Sequence, residues 1–295
     1  MPPKKNRTKK GKSTPRIFIA LLLIAVSIFF FYNEFGTRVD PPKKSRMAGM
    51  TKKTEIKFPA IKIPAIKDTA TQSPDSKKLP RVAIVMDDMG LSREKAEQVL
   101  AIDSPITLAV LPGRPYSAWV ADKGHKMGRD IIVHIPMEAI KPLKIGEGGI
   151  HSWMNSKEIQ KTVASDIAAV PYAKGASNHM GSAITQEKKA MKAIVAELKK
   201  HNLFFLDSMT TGKSLAYKTA KAAGVKALKR DVFLDNLDDP EEINKQWDRL
   251  LNIAAKKGTA IIQAHPRQNS IEFLKKALKD NTAIEVVPIS DLLEP

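Results

Sequence analysis

From Arg81 onward, short β-branched runs alternate with longer segments whose apolar residues recur at spacings of three and four. The runs "RVAIVM", "ITLAVL", "DIIVHI", "NLFFLD", "VKALKRDVFLD", "TAIIQAH" and "AIEVVPI", with a short piece near "KGASN", read as strands. Between most of them lie segments such as "SREKAEQVLAI", "SKEIQKTVASDIAAV", "QEKKAMKAIVAELKKH" and "PEEINKQWDRLLNIAAKKG", which carry one apolar stripe each and read as helices. Such alternation predicts an α/β domain with a largely parallel sheet. Seven or eight strands suit either an open doubly wound sheet or a closed or nearly closed barrel. No G-x-G-x-x-G follows the first strand and no Walker sequence is present, so the nucleotide-binding sheet lacks its signature and the barrel is preferred.

Ahead of this region the pattern differs. Ile17 to Tyr32, "IFIALLLIAVSIFFFY", is a run of sixteen uncharged, almost wholly apolar residues, between a signal-peptide core and a full membrane span in length. The chain continues "NEFGTRVDPPKKSR" without a small-residue cleavage motif, so an uncleaved anchor is expected. Seven Lys or Arg in residues 4–16, against four just after the run, would hold the N-terminus in the cytoplasm and send the rest into the periplasm or outside the cell. Residues 33–79 are rich in Pro, Lys, Thr and Ser and keep no period, as a flexible linker does. The expected organisation is a basic cytoplasmic head at 1–16, a single-pass transmembrane signal anchor in the inner membrane at 17–32, a linker at 33–79 and one globular domain at 80–295.

Charge and cysteine content act by exclusion. The formal net charge is +18, but 13 of it precedes residue 80 and the domain carries only +5. A nucleic-acid binder is expected to concentrate its excess charge on the folded part, so no nucleic-acid partner is expected. The absence of cysteine removes thiolate chemistry and any disulfide framework.

The chemistry gathers at strand ends. Asp87 and Asp88 follow "RVAIVM", the third strand runs into His134, and "SNHMGS" carries His179. "LFFLD" ends at Asp207, "DVFLD" at Asp235 and "AIIQAH" at His265. In a parallel sheet all strand C-termini share one rim, so these residues should converge. Side chains of adjacent strand residues point to opposite faces, so Asp87 and Asp88 can share a pocket only if the strand breaks, which "MGLS" is expected to do. His125 and His201 sit at helix ends, and His151 lies in a Gly-rich loop that could line a substrate groove. Two imidazoles and a carboxylate commonly hold Zn²⁺ or another divalent ion with coordination left for water and substrate. There is no H-E-x-x-H and no G-x-S-x-G, so neither a zincin nor a serine hydrolase is supported.

In order and spacing, "IVMDDMG", "HIPME", "SNHMGS", "FLDSMT", "RDVFLDN" and "AIIQAHP" resemble the divergent polysaccharide deacetylase family, relatives of the NodB-type carbohydrate esterases, over Arg81 to Pro295. The resemblance implies a distorted (β/α) barrel of about seven strands and metal-dependent removal of acyl groups from an amino sugar. It implies Asp87 as general base, Asp88 as metal ligand and His265 as the acid that protonates the leaving amine. "GHKMGRDIIVH" looks like the segment that ordinarily carries H-x-x-x-H; here the first histidine is replaced by Asp130 and only His134 remains. His179 is expected to restore the missing imidazole, giving Asp88, His134 and His179 around Zn²⁺, with Co²⁺ or Mn²⁺ as alternatives. His179 and His265 could exchange roles, and Asp130 could itself reach the ion. Asn178, Asp207, Arg230 and Asp235 are expected around the ligands or the substrate, with Asp207 and Asp235 alternatively capping helices. The implied partner is an acetylated polysaccharide or peptidoglycan, beside the membrane that holds the anchor. The rival reading is a carbohydrate-binding or scaffolding envelope protein on the same fold with little or no turnover.

Overall fold

The computed structural model describes residues 78–279 and 281–293. The expected head, anchor and nearly all of the linker lie outside the described residues. Among the described residues no helix is long and apolar enough to cross a membrane. The elements run β1 (Arg81–Met89), α1 (Arg93–Leu100), β2 (Thr107–Val110), α2 (Ser117–Lys126), β3 (Ile131–Met137), α3 (Ser156–Ala168) and β4 (Ala173–Met180). They continue with α4 (Lys188–Lys200), β5 (Phe204–Asp207), α5 (Ala216–Ala222), β6 (Ala227–Lys229), β7 (Val232–Phe233), α6 (Pro240–Lys257), β8 (Thr259–Ala264), α7 (Gln268–Lys279) and β9 (Glu285–Val286). A 3₁₀ turn at Ile184–Gln186 precedes α4, and another at Ile289–Leu292 comes after β9.

Every pairing is parallel, and the strands lie in the order β6-β5-β4-β3-β2-β1-β8-β7, with β9 beside the start of β1. β6 and β7 therefore stand at opposite ends of the sheet, although only Arg230 and Asp231 separate them in sequence. Laid flat, eight strands would put those ends roughly 34 Å apart, and two residues reach about 10 Å. The sheet must curl until its edges meet. At the meeting point the Arg230 N–H donates to Asp207 O at the end of β5, and the Asp231 N–H donates to Ile261 O on β8. No ladder joins β6 to β7 among the described residues, so the fold is a curled, parallel half-barrel. The single strand expected over 225–235 is in fact two, one on each edge. A run of that length cannot serve both edges without the two-residue crossing.

Two apolar layers arise from strand alternation. Ile84, Met86 and Val133 face the helices, in the larger core. Ala83, Val85, Ala109, Ile132, Phe204, Leu206 and Ile261 face the inside of the curl and pack on Ile289 from the last 3₁₀ turn. That turn closes the N-terminal end of the curl: the Ile289 N–H donates to Thr107 Oγ1, and the Ser290 N–H to Asp130 Oδ2. Towards the other end, the inward positions change from apolar to polar: Asp87 comes after Val85, His134 after Ile132, and Gln263 after Ile261. The polar end of each column is where a site can form.

The helices end as their sequences require. Asn155 caps α3 in a reciprocal capping box with Glu158, and Asp239 caps α6, which has Pro240 in its first turn and Gly258 in the left-handed conformation after its end. One buried group is costly. Asp166, in the last turn of α3, is 3% exposed and its Oδ2 has no hydrogen-bond partner. Burial pushes its carboxyl up to about 8. A carboxyl raised in the folded state keeps full stability below about pH 4, loses it as pH rises towards 8, and is level above. Asp166→Asn should therefore raise unfolding free energy by about 2–4 kcal/mol at pH 7. Urea denaturation at pH 7 and again near pH 4, where the gain should vanish, checks this.

Candidate functional site

Alternation along β1 would send Asp87 inward after Ala83 and Val85, and Asp88 outward after Ile84 and Met86. The structure departs from alternation at one residue. Register with β2 shifts between Met86 and Met89, and Asp88 has a left-handed φ of 54°. This bulge re-aims the Asp88 side chain so that both carboxyls serve the same rim. The break expected at "MGLS" lies instead at Asp88 itself, inside β1; only a backbone anomaly at that residue can rotate its side chain.

Asp88 Oδ1 lies 2.8 Å from His179 Nδ1 and 3.4 Å from His134 Nε2, and Oδ2 lies 3.6 Å from His265 Nε2. The ligand atoms of Asp88, His134 and His179 all lie within 4.8 Å of one another. Ligands about 2.0–2.1 Å from a tetrahedral ion stand about 3.4 Å apart, so the donor set suits one divalent cation. Oδ1 of Asp88 is buried between the two ring nitrogens. Burial would raise the Asp88 carboxyl, but His134 and His179 together outweigh it and hold it well below the usual carboxylate range.

The rings are held from behind. His134 is paired in register with Ser177 on β4, and its Nδ1 lies 2.7 Å from Ser177 Oγ, which turns Nε2 towards Asp88. His179, two residues further along β4, presents Nδ1 and meets the His134 ring edge-on at 5.2 Å.

Asp87 is 3% exposed and both its oxygens accept from Gln263 Nε2, at 3.0 and 2.9 Å. Burial raises its carboxyl, against the pull of His134 and His265. Two adjacent carboxyls are thus driven in opposite directions, a common basis for dividing acid–base work. Across the rim, His265 Nδ1 lies 3.1 Å from Asp235 Oδ1, while Asp235 Oδ2 accepts from the His265 N–H at 2.8 Å and from Ser270 Oγ at 2.6 Å. Burial lowers the His265 imidazolium, but Asp235, then Asp87 and Asp88, more than reverse this and raise it.

The other expected residues are placed elsewhere or do other work. Asp130 precedes β3, buried at the N-terminal end of the curl, where Oδ1 pairs with Lys174 Nζ at 2.6 Å and Oδ2 accepts from Ser290 N at 2.8 Å. Four extended residues separate it from His134, roughly 13 Å, so it cannot reach an ion at the rim. Asp207 accepts from Met209 N, Ser214 Oγ and Tyr217 N, which makes it a cap for the loop and start of α5 and leaves both oxygens turned from the imidazoles. Among the described residues Arg230 pairs with no carboxylate: Nε and Nη2 donate to Ser208 O and Met209 O, and its guanidinium covers Phe233, which packs on His265. Asn178 ties β4 to the end of β5, accepting from Ser208 N and donating to Met180 O. Ser177, Gln263 and Ser270 were not anticipated from sequence. A polar residue at an inward position of the otherwise apolar run "AIIQA" is the signal that would have found Gln263.

Residues 84–293 match the family described as divergent polysaccharide deacetylase. The chain is similar to the uncharacterized protein YibQ of Escherichia coli (strain K12), 36% identical over 196 residues, which are 66% of this chain and 61% of that protein. The match thus spans less than two thirds of that relative's length. It is also similar to an uncharacterized protein of Haemophilus influenzae, 35% identical over 221 residues, 75% of this chain and 79% of that one. The crystal structure of the uncharacterized protein ATU2773 from Agrobacterium tumefaciens C58 superposes with a TM-score of 0.70 at 25% identity, over 74% of this chain and 91% of that chain. With the motif order, the curled parallel sheet and a family match over most of its length, the chain belongs to the divergent polysaccharide deacetylase family.

Proposed function

We propose that the chain is a metal-dependent hydrolase that removes N- or O-acetyl groups from a cell-envelope polysaccharide or peptidoglycan-type glycan. The observation that carries this reading is the placement of Asp88 Oδ1 beside His134 Nε2 and His179 Nδ1. These three residues would hold the ion, Zn²⁺ most readily, with Co²⁺ or Mn²⁺ as alternatives. A bound ion of this kind makes water acidic enough to supply a nucleophile at neutral pH and polarises the acyl carbonyl.

The protein groups supply the proton traffic. Asp87, raised by burial and fixed by Gln263, accepts the proton of the attacking water. His265, held by Asp235 with its charged form favoured, gives a proton to the departing nitrogen or oxygen as the bond to the acyl carbon breaks. The acyl group leaves as acetic acid, which ionises to acetate, beside a free amine or hydroxyl; Asp87 is left protonated and His265 neutral, and proton exchange with solvent restores both. With an anchor at residues 17–32, this would take place on the periplasmic or outer side of the membrane.

Elemental analysis of the purified chain after exposure to Zn²⁺, Co²⁺ or Mn²⁺ should find about one ion per chain, and Asp88→Ala or His179→Ala should lose it. Asp130→Asn should keep it. Asp87→Asn should keep the ion while acetate release from chitooligosaccharides, peptidoglycan fragments or acetylated xylan falls about 10²- to 10⁴-fold. No metal uptake would sink the hydrolase; uptake without acetate from any of the three substrates would favour the carbohydrate-binding alternative.

A raised histidine contributes stability that is present below its unfolded value and lost as pH rises through the folded one. General acid activity has the same direction, since it needs the protonated ring. Asp235→Asn should move His265 downward, and with it the alkaline limb of the pH–rate profile. Proton NMR of the His265 ring over a pH series checks the shift without reference to turnover.

A further inference from the structure

Residues 138–155 pass over the rim between β3 and α3. Their most exposed aromatic residue, Trp153, is 72% accessible. This loop is not loose. Ile150 is fully buried and bridged to Met137, with its N–H on Pro136 O and its carbonyl accepting from Glu138 N, both at 2.9 Å. Glu138 O accepts from Ala183 N at 3.1 Å and Ile184 N at 3.3 Å, and the Ile140 N–H donates to Ser182 Oγ at 3.0 Å. The loop is therefore fastened to the turn just beyond His179. Further along, a Cβ at Gly148 (φ 72°) would collide with the Asp166 carboxyl, so the backbone lies directly against α3.

The exposed indole is braced in the same way. The Ser152 N–H donates to Glu138 Oε2 at 2.6 Å, His151 Nδ1 lies 3.8 Å from the same oxygen, and the His151 ring stacks on Trp153 at 5.5 Å and 14°. A continuous run of contacts thus leads from Trp153 through His151 and Glu138 to the backbone beside His179. One face of the indole rests on an imidazole, which leaves the other for a ligand, and a carboxylate stands beside the pair.

We infer that Trp153, backed by His151 and bordered by Glu138, is a glycan platform that stacks on the C–H face of a sugar ring along the polymer from the ring being deacylated. This rests on the glycan reading above and adds to it where the chain of sugars leaves the site. The chemistry is specific to a pyranose: its axial C–H groups carry weak positive charge and match the negative face of an indole. A rigid ring with two side-chain torsions, already stacked before binding, loses little entropy on doing so.

The test separates this platform from the hydrolysis. The chain has three tryptophans; Trp247 is buried, and Trp119 lies under the Arg93 guanidinium. The full chain labelled with 5-fluorotryptophan should give three ¹⁹F signals, assigned by the loss of one in Trp153→Ala. Titrating the metal-free chain with N-acetylglucosamine hexamer should shift the Trp153 signal and leave Trp247 still. Trp153→Ala should weaken hexamer binding about tenfold, and Trp153→Phe should restore most of it. With metal-loaded chain, Trp153→Ala should raise KM for the hexamer and leave turnover of a small aryl acetate, too short to reach the platform, unchanged. Unchanged hexamer affinity in Trp153→Ala, a still Trp153 signal, or no hexamer binding at all would overturn the platform. Hexamer binding through Trp153 without acetate release would keep it and sink the hydrolase; acetate release with no effect of Trp153→Ala would do the reverse.

Discussion

A strand presents alternate side chains to alternate faces, and the site depends on one violation of that rule. Asp87 and Asp88 are neighbours on β1, yet one lies beside Gln263 and the other between two imidazoles on the same rim. The left-handed backbone at Asp88 makes this possible. Aspartate tolerates that conformation better than most residues with a Cβ, and its short side chain then carries the carboxylate straight into the pocket. Met180 and Met209, at the end of β4 and in the turn after β5, are also left-handed, as are Tyr172 and Asn202 ahead of β4 and β5.

Closure of the curl holds this rim in shape. Arg230 and Asp231 cross the gap between the edge strands, and Arg230 fastens the Ser208–Met209 carbonyls on one side while covering Phe233 on the other. Ser208 Oγ in turn lies 3.1 Å from the Gln263 Nε2 that fixes Asp87, and Phe233 packs on His265. The seam therefore shares partners with Asp87 and His265. An open doubly wound sheet carrying the same strand-end residues would spread them along a line. Curling brings β8 and β1 round towards β3 and β4, and the five groups then face one another.

Much of this was legible in the sequence because it rests on periodicity. Asp87, His134, Asp235 and His265 could be placed at a common rim from the alternation of strands and helices alone, since parallel strands end on one side. The two short strands around Arg230 were not legible: "VKALKRDVFLD" has no glycine or proline at the crossing, and the pairing partners show that its halves belong to opposite edges. The bulge at Asp88 was equally hidden, because "MDDMG" has its glycine two residues too late. Asp207 and Asp235 look alike in sequence, each closing an apolar run. In the fold both accept from a serine hydroxyl and from backbone N–H groups, and the histidine ring beside Asp235 is what distinguishes them.

Asp130 stands where the resembled H-x-x-x-H pattern has its first histidine, and strand geometry accounts both for this and for His179. Two imidazoles four residues apart can share one ion on helical or tightly turned backbone, where such positions are about 5–6 Å apart. In this chain the same spacing falls on β3, where it is roughly 13 Å, so a histidine at 130 would sit at the closed end of the curl and bind nothing at the rim. The second imidazole has to come from a neighbouring strand. β4 supplies it: its register sets Ser177 opposite His134 and His179 opposite Pro136, one step of the pleat nearer the rim and on the same inward face. Asp130 is then free to neutralise Lys174 and to accept from the Ser290 N–H that closes the far end. The loss of the H-x-x-x-H spacing is therefore no sign of a lost donor set: once the segment is extended, the cross-strand pair is the arrangement that keeps two imidazoles within reach of Asp88.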